Sequence, residues 1–300
     1  MKQQLKSKKD KDSQLKKAIL SSEITFAMEA HDAISALISQ RAGFEILWAS
    51  GLTISTSLGY RDANEATWLH TAEVVERMAD AVSTPILVDV DSGYGNFNNA
   101  RISVKKIFER GASGVCIEDK EFPKMNSFVG NKHPLAEINE FCGRIKAIKD
   151  HVPNSDFVLV ARIEALIAGH SESEALDRAH AYIEAGADSI LIHSRKSNAD
   201  EILSFSEKWD NKAPLVIVPT KYYNTPIEKY RDAKISTVIW ANHNLRASIS
   251  AMTELCNRIY RDENIISSED KIATLNEVFE LLNYKELELS ESSFLDKNKE

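Results

Sequence analysis

Eight short apolar runs, separated by segments of helical periodicity, constrain this chain more than any other feature. They lie near residues 24–28 (ITFAM), 44–48 (FEILW), 85–90 (PILVDV), 113–118 (SGVCIE), 157–163 (FVLVARI), 188–193 (DSILIH), 214–219 (PLVIVP) and 236–240 (STVIW). The runs are rich in β-branched residues and mostly apolar on both faces, as parallel strands covered on both sides must be. Between them, segments such as TWLHTAEVVERMADAV and SESEALDRAHAYIEAG repeat apolar residues at 3.6 spacing, the mark of amphipathic helices. RAGFEILWAS, RGASGVCIED and EAGADSILIHS each place a glycine between helix and strand, and DAKISTVIWAN repeats the pattern without it. Strands and helices alternating in this way predict one (β/α)8 barrel of the TIM type. A doubly wound open sheet is the second reading. It needs a phosphate loop at its switch point, and the chain has no GxGxxG or Walker sequence.

Residues 1–18 carry many lysines and few apolar residues, which predicts a flexible basic arm or a poorly ordered helix start; residues 19–290 then form the single barrel domain and residues 291–300 a disordered tail. Two helical segments follow the eighth run, NLRASISAMTELCNRIYRDE and about 268–288, and either close the barrel or reach a neighbouring subunit. Hydrophobic residues at 43% and charged residues at 27% supply an ordinary globular core. A net charge of -8 argues against a nucleic-acid partner, which calls for a basic face. No apolar stretch has the length of a signal or membrane-spanning segment, so a cytoplasmic protein with no membrane partner is expected. Cys116, Cys142 and Cys256 are widely spaced without a CxxC, against a zinc site or a disulfide framework, and Cys116 reads as core.

In a barrel, the loops after the C-terminal strand ends carry the active site. Here the runs end in Glu29 and His31; Ser50 and Gly51; Asp89 and Asp91; Glu118, Asp119 and Lys120; Arg162 and Glu164; His193, Ser194 and Arg195; Thr220 and Lys221; and Asn242 and His243. Any one polar loop residue says little. Their convergence on one rim points to a small anionic substrate.

Asp89 and Asp91, in VDVDSGYG, stand two apart, which places both on one side of a strand. Two carboxylates at a barrel mouth repel unless a cation or proton compensates them. Glu118 closes another strand at a similar height, and three hard oxygen ligands without His or Cys suit Mg²⁺. The competing reading, a helix cap or an ion pair, weighs more on Asp91 than on Asp89, which lies deeper in the strand. Arg162, in VLVARIEA, needs an anion if it points inward. That anion is either Glu164 or Asp91 within the protein, or a substrate carboxylate or phosphoryl group held by both arms of the guanidinium. His193 is either a satisfied core histidine or a member of the rim. Lys120 and Arg195 read as surface charge. Small residues at Ser50 and Gly51 let backbone amides approach an oxyanion.

WASGL, GYRDANEATW, VDVDSGYGNFNNA, EDKEFPKMNS, VARIEA, VPTKYYNTP and VIWANHNLRAS resemble the phosphoenolpyruvate mutase family of the isocitrate lyase superfamily, from about residue 20 to about residue 265. The resemblance implies an isomerase that interconverts phosphoenolpyruvate and 3-phosphonopyruvate, forming the P–C bond of phosphonate biosynthesis. C–C lyases of the superfamily carry a KKCGH-type loop with a catalytic cysteine, where this chain has EDKEFPKMNS. Phosphonopyruvate hydrolase shares the EDK and FPK portions and is less faithful to the Asn-Ser ending. Hydrolysis to pyruvate and phosphate is therefore the first alternative, and C–C cleavage the second.

Carried over by motif, the resemblance implies that Asp89 ligates Mg²⁺ directly while Asp91 and Glu118 hold it mainly through water. Trp48, Ser50, Gly51 and Leu52 would line a pyruvyl pocket, and Arg162 would bind the substrate anion. Asn126, Ser127 and His193 would surround the phosphoryl group, with Asp62 nearby and Lys124 on a lid. The family also implies exchange of the last barrel helix between subunits of a homo-oligomer, a dimer or tetramer.

Overall fold

The alternation of apolar runs and amphipathic segments becomes a closed ring of eight parallel strands, β1 to β8 in chain order, in a computed structural model that describes residues 6–130 and 132–295. The strands are β1 Thr25–Ala30, β2 Ile46–Ala49, β3 Ile86–Asp89, β4 Gly114–Glu118, β5 Val158–Ile163, β6 Ser189–Ile192, β7 Leu215–Ile217 and β8 Ile235–Trp240. Every predicted run coincides with one of them. The helices are α1 Lys8–Ile19, α2 Ala33–Arg41, α3 Gly51–Ser57, α4 Trp68–Ala81, α5 Phe97–Glu109 and α6 Ile138–His151. Chain order then gives α7 Glu172–Glu184, α8 Asp200–Trp209, α9 Ile227–Asp232, α10 His243–Asp262, α11 Leu275–Leu281 and α12 Tyr284–Phe294.

Two cores follow from the strand period of two. Residues facing outward, such as Leu47, Val88, Val115, Leu159 and Ile190, pack against helix faces including Val75, Val104 and Ile145. Residues facing inward, among them Ala27, Trp48, Leu87, Cys116, Val160, Leu191, Val218 and Ile239, fill the barrel. Two positions further along, the same inward phase reaches Glu29, Ser50, Asp89, Glu118, Arg162, His193, Thr220 and Ala241. The phase that packs the interior thus also delivers the polar rim.

The expected flexible arm is a correction. Residues 8–19 form α1, capped by Ser7 accepting from the Asp10 amide, with Leu15 and Ile19 wholly buried. Leu15, Ala18 and Ile19 join the inward-facing core, and Lys11 Nζ donates to the carbonyls of Ala79 at 2.8 Å and Val82 at 2.6 Å. Asp12 is buried between Lys8 and Asn154. Gly114 permits the close approach, because a Cβ there would lie 2.8 Å from Leu15 Cδ2 and 2.7 Å from the Val158 carbonyl oxygen. Three apolar residues at i, i+3 and i+4 were the helical signal, hidden among lysines. Residues 1–5 of the expected arm lie outside the described residues. Leu15→Ala is expected to cost about 2–5 kcal/mol, the range for deleting a buried leucine. A denaturant midpoint equal to that of the parent protein would return this segment to the status of a solvated arm.

Residues 6–244 form one unit and residues from 245 onward another, so the segment expected as one domain over 19–290 divides after Asn244. No residue of α10, α11 or α12 is buried, and Ile249, Met252 and Leu275 are among their exposed apolar side chains. The expected tail begins too early, since α12 continues to Phe294; residues 296–300 lie outside the described residues. Among the described residues no helix is long and apolar enough to cross a membrane.

Candidate active site

A pocket at the C-terminal mouth is lined by Trp48 of β2, Ser50 and Leu52 after it, Asp62, Asp89 of β3 and the segment Lys124 to Phe128, excepting Met125. Arg162 of β5, His193 after β6, Val218 and Thr220 after β7, and Ala241 and Asn242 after β8 complete it. Of the residues expected at the site, Gly51, Asp91 and Glu118 are the ones that do not line it. They lie against those that do. The Gly51 amide faces Asp89 Oδ2 at 3.4 Å, the Asp91 amide donates to Asp89 Oδ1 at 3.1 Å, and Glu118 Oε2 lies 3.5 Å from Arg162 Nε.

Asp91 corrects one expectation. It lies beyond β3 with φ of 52°, in a left-handed turn, and not on the strand with Asp89. The turn still brings its carboxylate beside Asp89. A Cβ at Gly51 would sit 3.1 Å from Asp91 Oδ1 and 3.2 Å from Asp89 Oδ2, so the missing side chain leaves room against both carboxylates. Burial is the largest influence on Asp91, and with Asp89, Asp62 and Glu118 beside it the carboxyl is pushed up to about 7, despite the opposing charge of Lys124. Burial raises Asp89 in the same way, with Glu118 and Asp62 adding to it. Such a cluster is stable in its charged form only beside a cation.

One cation is already present. Lys124 Nζ lies 2.6 Å from Asp62 Oδ1 and 2.8 Å from Asp91 Oδ1. The carboxylates still hold unused capacity. Glu118 Oε1 has no hydrogen-bond partner, and Asp91 Oδ1 meets Lys124 as an ion pair without hydrogen-bond geometry. Among the described residues the acidic side chains do not already converge as a finished three-ligand cage. The donor set, all carboxylate oxygen and partly unpaired, nonetheless fits a hard divalent cation.

The other half of the pocket is a dense ion-pair network. Glu164 is wholly buried; its Oε1 accepts from Arg162 Nε at 2.6 Å and faces His193 Nδ1 at 2.7 Å. Its Oε2 accepts from Ser127 Oγ at 2.6 Å and meets Lys120 Nζ at 3.0 Å. Burial alone would raise this carboxyl, but Arg162, His193 and Lys120 together hold it well below the usual range. Burial and the Arg162 charge push His193 down. His193 Nδ1 also lies 2.9 Å from the Arg162 guanidinium, which only donates, so Nδ1 serves one neighbour at a time. Arg162 has Ser127 Oγ as a second acceptor at 3.1 Å; the arrangement that satisfies most groups has His193 Nδ1–H donating to Glu164.

Asp62 closes the pocket. Its carboxylate accepts from Lys124 Nζ and Asn126 Nδ2, both at 2.6 Å, while Asn64 takes the Lys124 amide at 2.6 Å and donates to Asp91 Oδ2 at 2.8 Å. Burial raises Asp62, but Lys124 and Asn126 outweigh it and leave the carboxyl below its ordinary value. The loop after β2 and the segment after β4 are thereby tied together over the site.

Residues 15–260 match the family model described as phosphoenolpyruvate phosphomutase. The chain is 48% identical over 286 residues to the phosphoenolpyruvate phosphomutase of Tetrahymena pyriformis, which spans 95% of both proteins. The chain belongs to the phosphoenolpyruvate phosphomutase family. Its structure also matches the crystal structure of phosphoenolpyruvate phosphomutase from Streptomyces platensis subsp. rosaceus, with a TM-score of 0.93 and 40% identity over 95% of this chain and 99% of that one. A phosphonopyruvate hydrolase solved with oxalate and Mg²⁺ matches with a TM-score of 0.90 and 38% identity, over 95% of this chain and 99% of that one.

Within this family frame, the structure brings Trp48, Ser50, Leu52, Asp62, Asp89, Lys124, Asn126, Ser127, Arg162 and His193 to one pocket. Sequence reasoning missed Lys120 and Arg195, read there as surface charge. Lys120 is buried at 2% exposure, and Arg195 donates to the Ser127 carbonyl at 2.6 Å. The signal for Lys120 was its phase: it stands two residues beyond Glu118, as Glu164 stands two beyond Arg162. Asn64 and Phe128 had no such signal, because both lie outside the strand period.

Proposed function

We propose that this protein interconverts phosphoenolpyruvate and 3-phosphonopyruvate. The observation that carries the reading is the closure of the pocket by Lys124 and Asn126 on Asp62, beside Arg162 and His193. These are the groups of the EDKEFPKMNS and VARIEA motifs. The cysteines lie elsewhere: Cys116 within the barrel, Cys142 on α6 and Cys256 on α10. A lyase-type thiol acid therefore has no counterpart at the pocket wall.

The reaction moves a phosphoryl group between C3 and the enol oxygen of a pyruvate enolate. In one direction the P–C bond breaks with its electron pair left on the enolate, and the enolate oxygen then takes the phosphorus. Such transfers pass through a loose, electron-poor phosphoryl group, so catalysis is largely positioning and charge stabilisation. Arg162 supplies a guanidinium, and Lys124 and Asn126 supply N–H donors, along one wall of the pocket. Trp48, Ser50 and Leu52 supply the wall that suits the pyruvyl part. Asp89, Asp91 and Glu118 would hold Mg²⁺, which supplies positive charge to the substrate oxygens when bound. Phe128 packs its ring edge-on to His193 at 5.4 Å, and Lys221 Nζ lies 5.1 Å from the same ring. This cover excludes water, which would otherwise take the phosphoryl group.

A coupled assay separates the readings. With phosphonopyruvate, Mg²⁺, ADP, pyruvate kinase and lactate dehydrogenase, NADH oxidation is expected, and it stops when pyruvate kinase is omitted. Oxidation that persists without pyruvate kinase means direct release of pyruvate and moves the assignment to hydrolysis. Equilibrium favours the phosphoenolpyruvate side, so net phosphonate synthesis needs a following irreversible step that consumes phosphonopyruvate.

The same reading includes a cytoplasmic homo-oligomer. Free thiols at Cys116, Cys142 and Cys256 suit a reducing compartment. On the barrel unit, Ile34 and Ile38 of α2 are exposed, and Phe26 stacks on Trp240 beside an open groove. The unit from residue 245 separately exposes Ile249, Met252 and Leu275. Exchange of the last helix between subunits would cover both surfaces. Light scattering is expected to give a dimer or tetramer; a mass of 33.6 kDa at micromolar concentration would contradict this part of the reading.

A further inference from the structure

We propose that Lys120 is a positioning residue that fixes the Met125–Ser127 segment over the phosphoryl end of the pocket, and that this tie decides whether phosphorus passes to the enolate or to water. The inference rests on the mutase reading.

Lys120 gives two hydrogen bonds to the segment and an ion pair to Glu164. Its Nζ lies 3.0 Å from the Met125 carbonyl oxygen, 2.6 Å from Ser127 Oγ and 3.0 Å from Glu164 Oε2. The Glu164 contact is an ion pair without hydrogen-bond geometry, and Lys120 does not line the pocket, so its ammonium does not face a substrate. Lys120 therefore acts through the groups it holds.

Ser127 is saturated in the same way. Its one hydroxyl hydrogen goes to Glu164 Oε2 at 2.6 Å, and its oxygen accepts from Lys120 at 2.6 Å and Arg162 at 3.1 Å. In this arrangement the hydroxyl has no donor for a phosphoryl oxygen. Ser127 is then a rivet between the segment and the ends of β4 and β5, where the family resemblance implied a phosphoryl contact. Asn126 stands between the two residues that Lys120 grips, and its Nδ2 reaches Asp62 Oδ2 at 2.6 Å.

The anchor itself is firm. The Lys120 backbone bridges Leu135, and the Glu121 amide donates to the Pro134 carbonyl at 3.0 Å. Glu164 is held from behind, because Asp119 Oδ1 accepts its amide at 2.8 Å while Asp119 Oδ2 accepts from Tyr182 at 2.7 Å and Arg178 at 3.1 Å. A buried ammonium on so rigid a base is suited to setting the place of its neighbour, not to chemistry.

If the tie is lost, the segment moves and water enters. The P–C bond still breaks with its electron pair left on the enolate, but a water oxygen takes the phosphorus. The products are then phosphate, and pyruvate formed by protonation of the carbon. Misplacement by about 1 Å costs about 10²-fold in rate.

The test is Lys120→Met, Lys120→Arg and Ser127→Ala, each given phosphonopyruvate and Mg²⁺, with phosphoenolpyruvate, pyruvate and phosphate measured together. Lys120→Met and Ser127→Ala are expected to lower kcat for phosphoenolpyruvate about 10²-fold and to raise the share of pyruvate plus phosphate. Lys120→Arg is expected to restore part of both. An unchanged product ratio in folded Lys120→Met, whatever its rate, overturns the proposal, and so does an unchanged ratio in Ser127→Ala should Lys120→Met fail to fold. The parent protein keeps the two readings apart: if it makes no phosphoenolpyruvate in this assay, the mutase reading fails first.

Discussion

Asp89→Ala is expected to lower turnover of phosphonopyruvate by about 10³-fold, a loss of about 4 kcal/mol at about 1.4 kcal/mol per tenfold. Of the three expected metal ligands, Asp89 is the one that lines the pocket, and it accepts from the Asp91 and Gly51 amides behind it. Without it, Asp91 and Glu118 remain behind the wall and no expected metal ligand faces the substrate. Stability should change in the opposite direction. Burial and like charges raise the Asp89 carboxyl, so its ionised form is disfavoured in the folded protein, and its removal relieves that cost. The denaturant midpoint is expected to hold or rise while activity collapses. Undiminished turnover would end the metal assignment; lost activity with a much lower midpoint would show that Asp89 was needed for folding.

Arg162→Met is expected to damage both properties at once. The guanidinium is the partner of Glu164 at 2.6 Å and lies 3.5 Å from Glu118, and the two carboxylates are among the most buried charges of the chain. Removing one partner of a buried pair leaves an uncompensated charge, at about 3–5 kcal/mol. Activity should fall by about 10²–10³-fold, as for loss of a donor that stabilises developing negative charge. Arg162→Lys would restore part of the stability and little of the activity, because an ammonium cannot reach Glu164, Ser127 and a substrate anion from one planar fork. A denaturant midpoint for Arg162→Met equal to the parent value would mean that Glu164 is satisfied by Lys120 and His193 alone.

The fold was legible because barrel strands announce themselves by composition. Each run is mostly apolar on both faces, and seven of the eight give way to a charged or hydroxyl residue, the last to Asn242. The rim was legible for the same reason: Asp89, Glu118, Arg162 and His193 continue the inward phase of Leu87, Cys116, Val160 and Leu191. What the pattern hid was tertiary. Lys120 looks solvated in EDKEF, yet its ammonium is buried because Glu164 and the turn at Met125–Ser127 arrive from elsewhere in the chain. Asp91 seemed to share a strand face with Asp89, but a left-handed turn begins one residue too soon. α1 carries its three buried apolar residues among lysines whose stems or heads find partners of their own, as Lys11 does at the Ala79 and Val82 carbonyls. Charge in a sequence marks the surface only when no fixed carbonyl or carboxylate waits for it inside.

The central claim is that phosphorus moves within the closed pocket without passing to water. ³¹P spectra recorded while the protein acts on phosphonopyruvate and Mg²⁺ in ¹⁸O-enriched water test it most directly. The phosphonate signal is expected to be replaced by phosphoenolpyruvate whose three non-bridging phosphoryl oxygens carry no ¹⁸O, with little free phosphate; label at the bridging oxygen reports only exchange of the keto group with water. Phosphate carrying one ¹⁸O as the main product would contradict it.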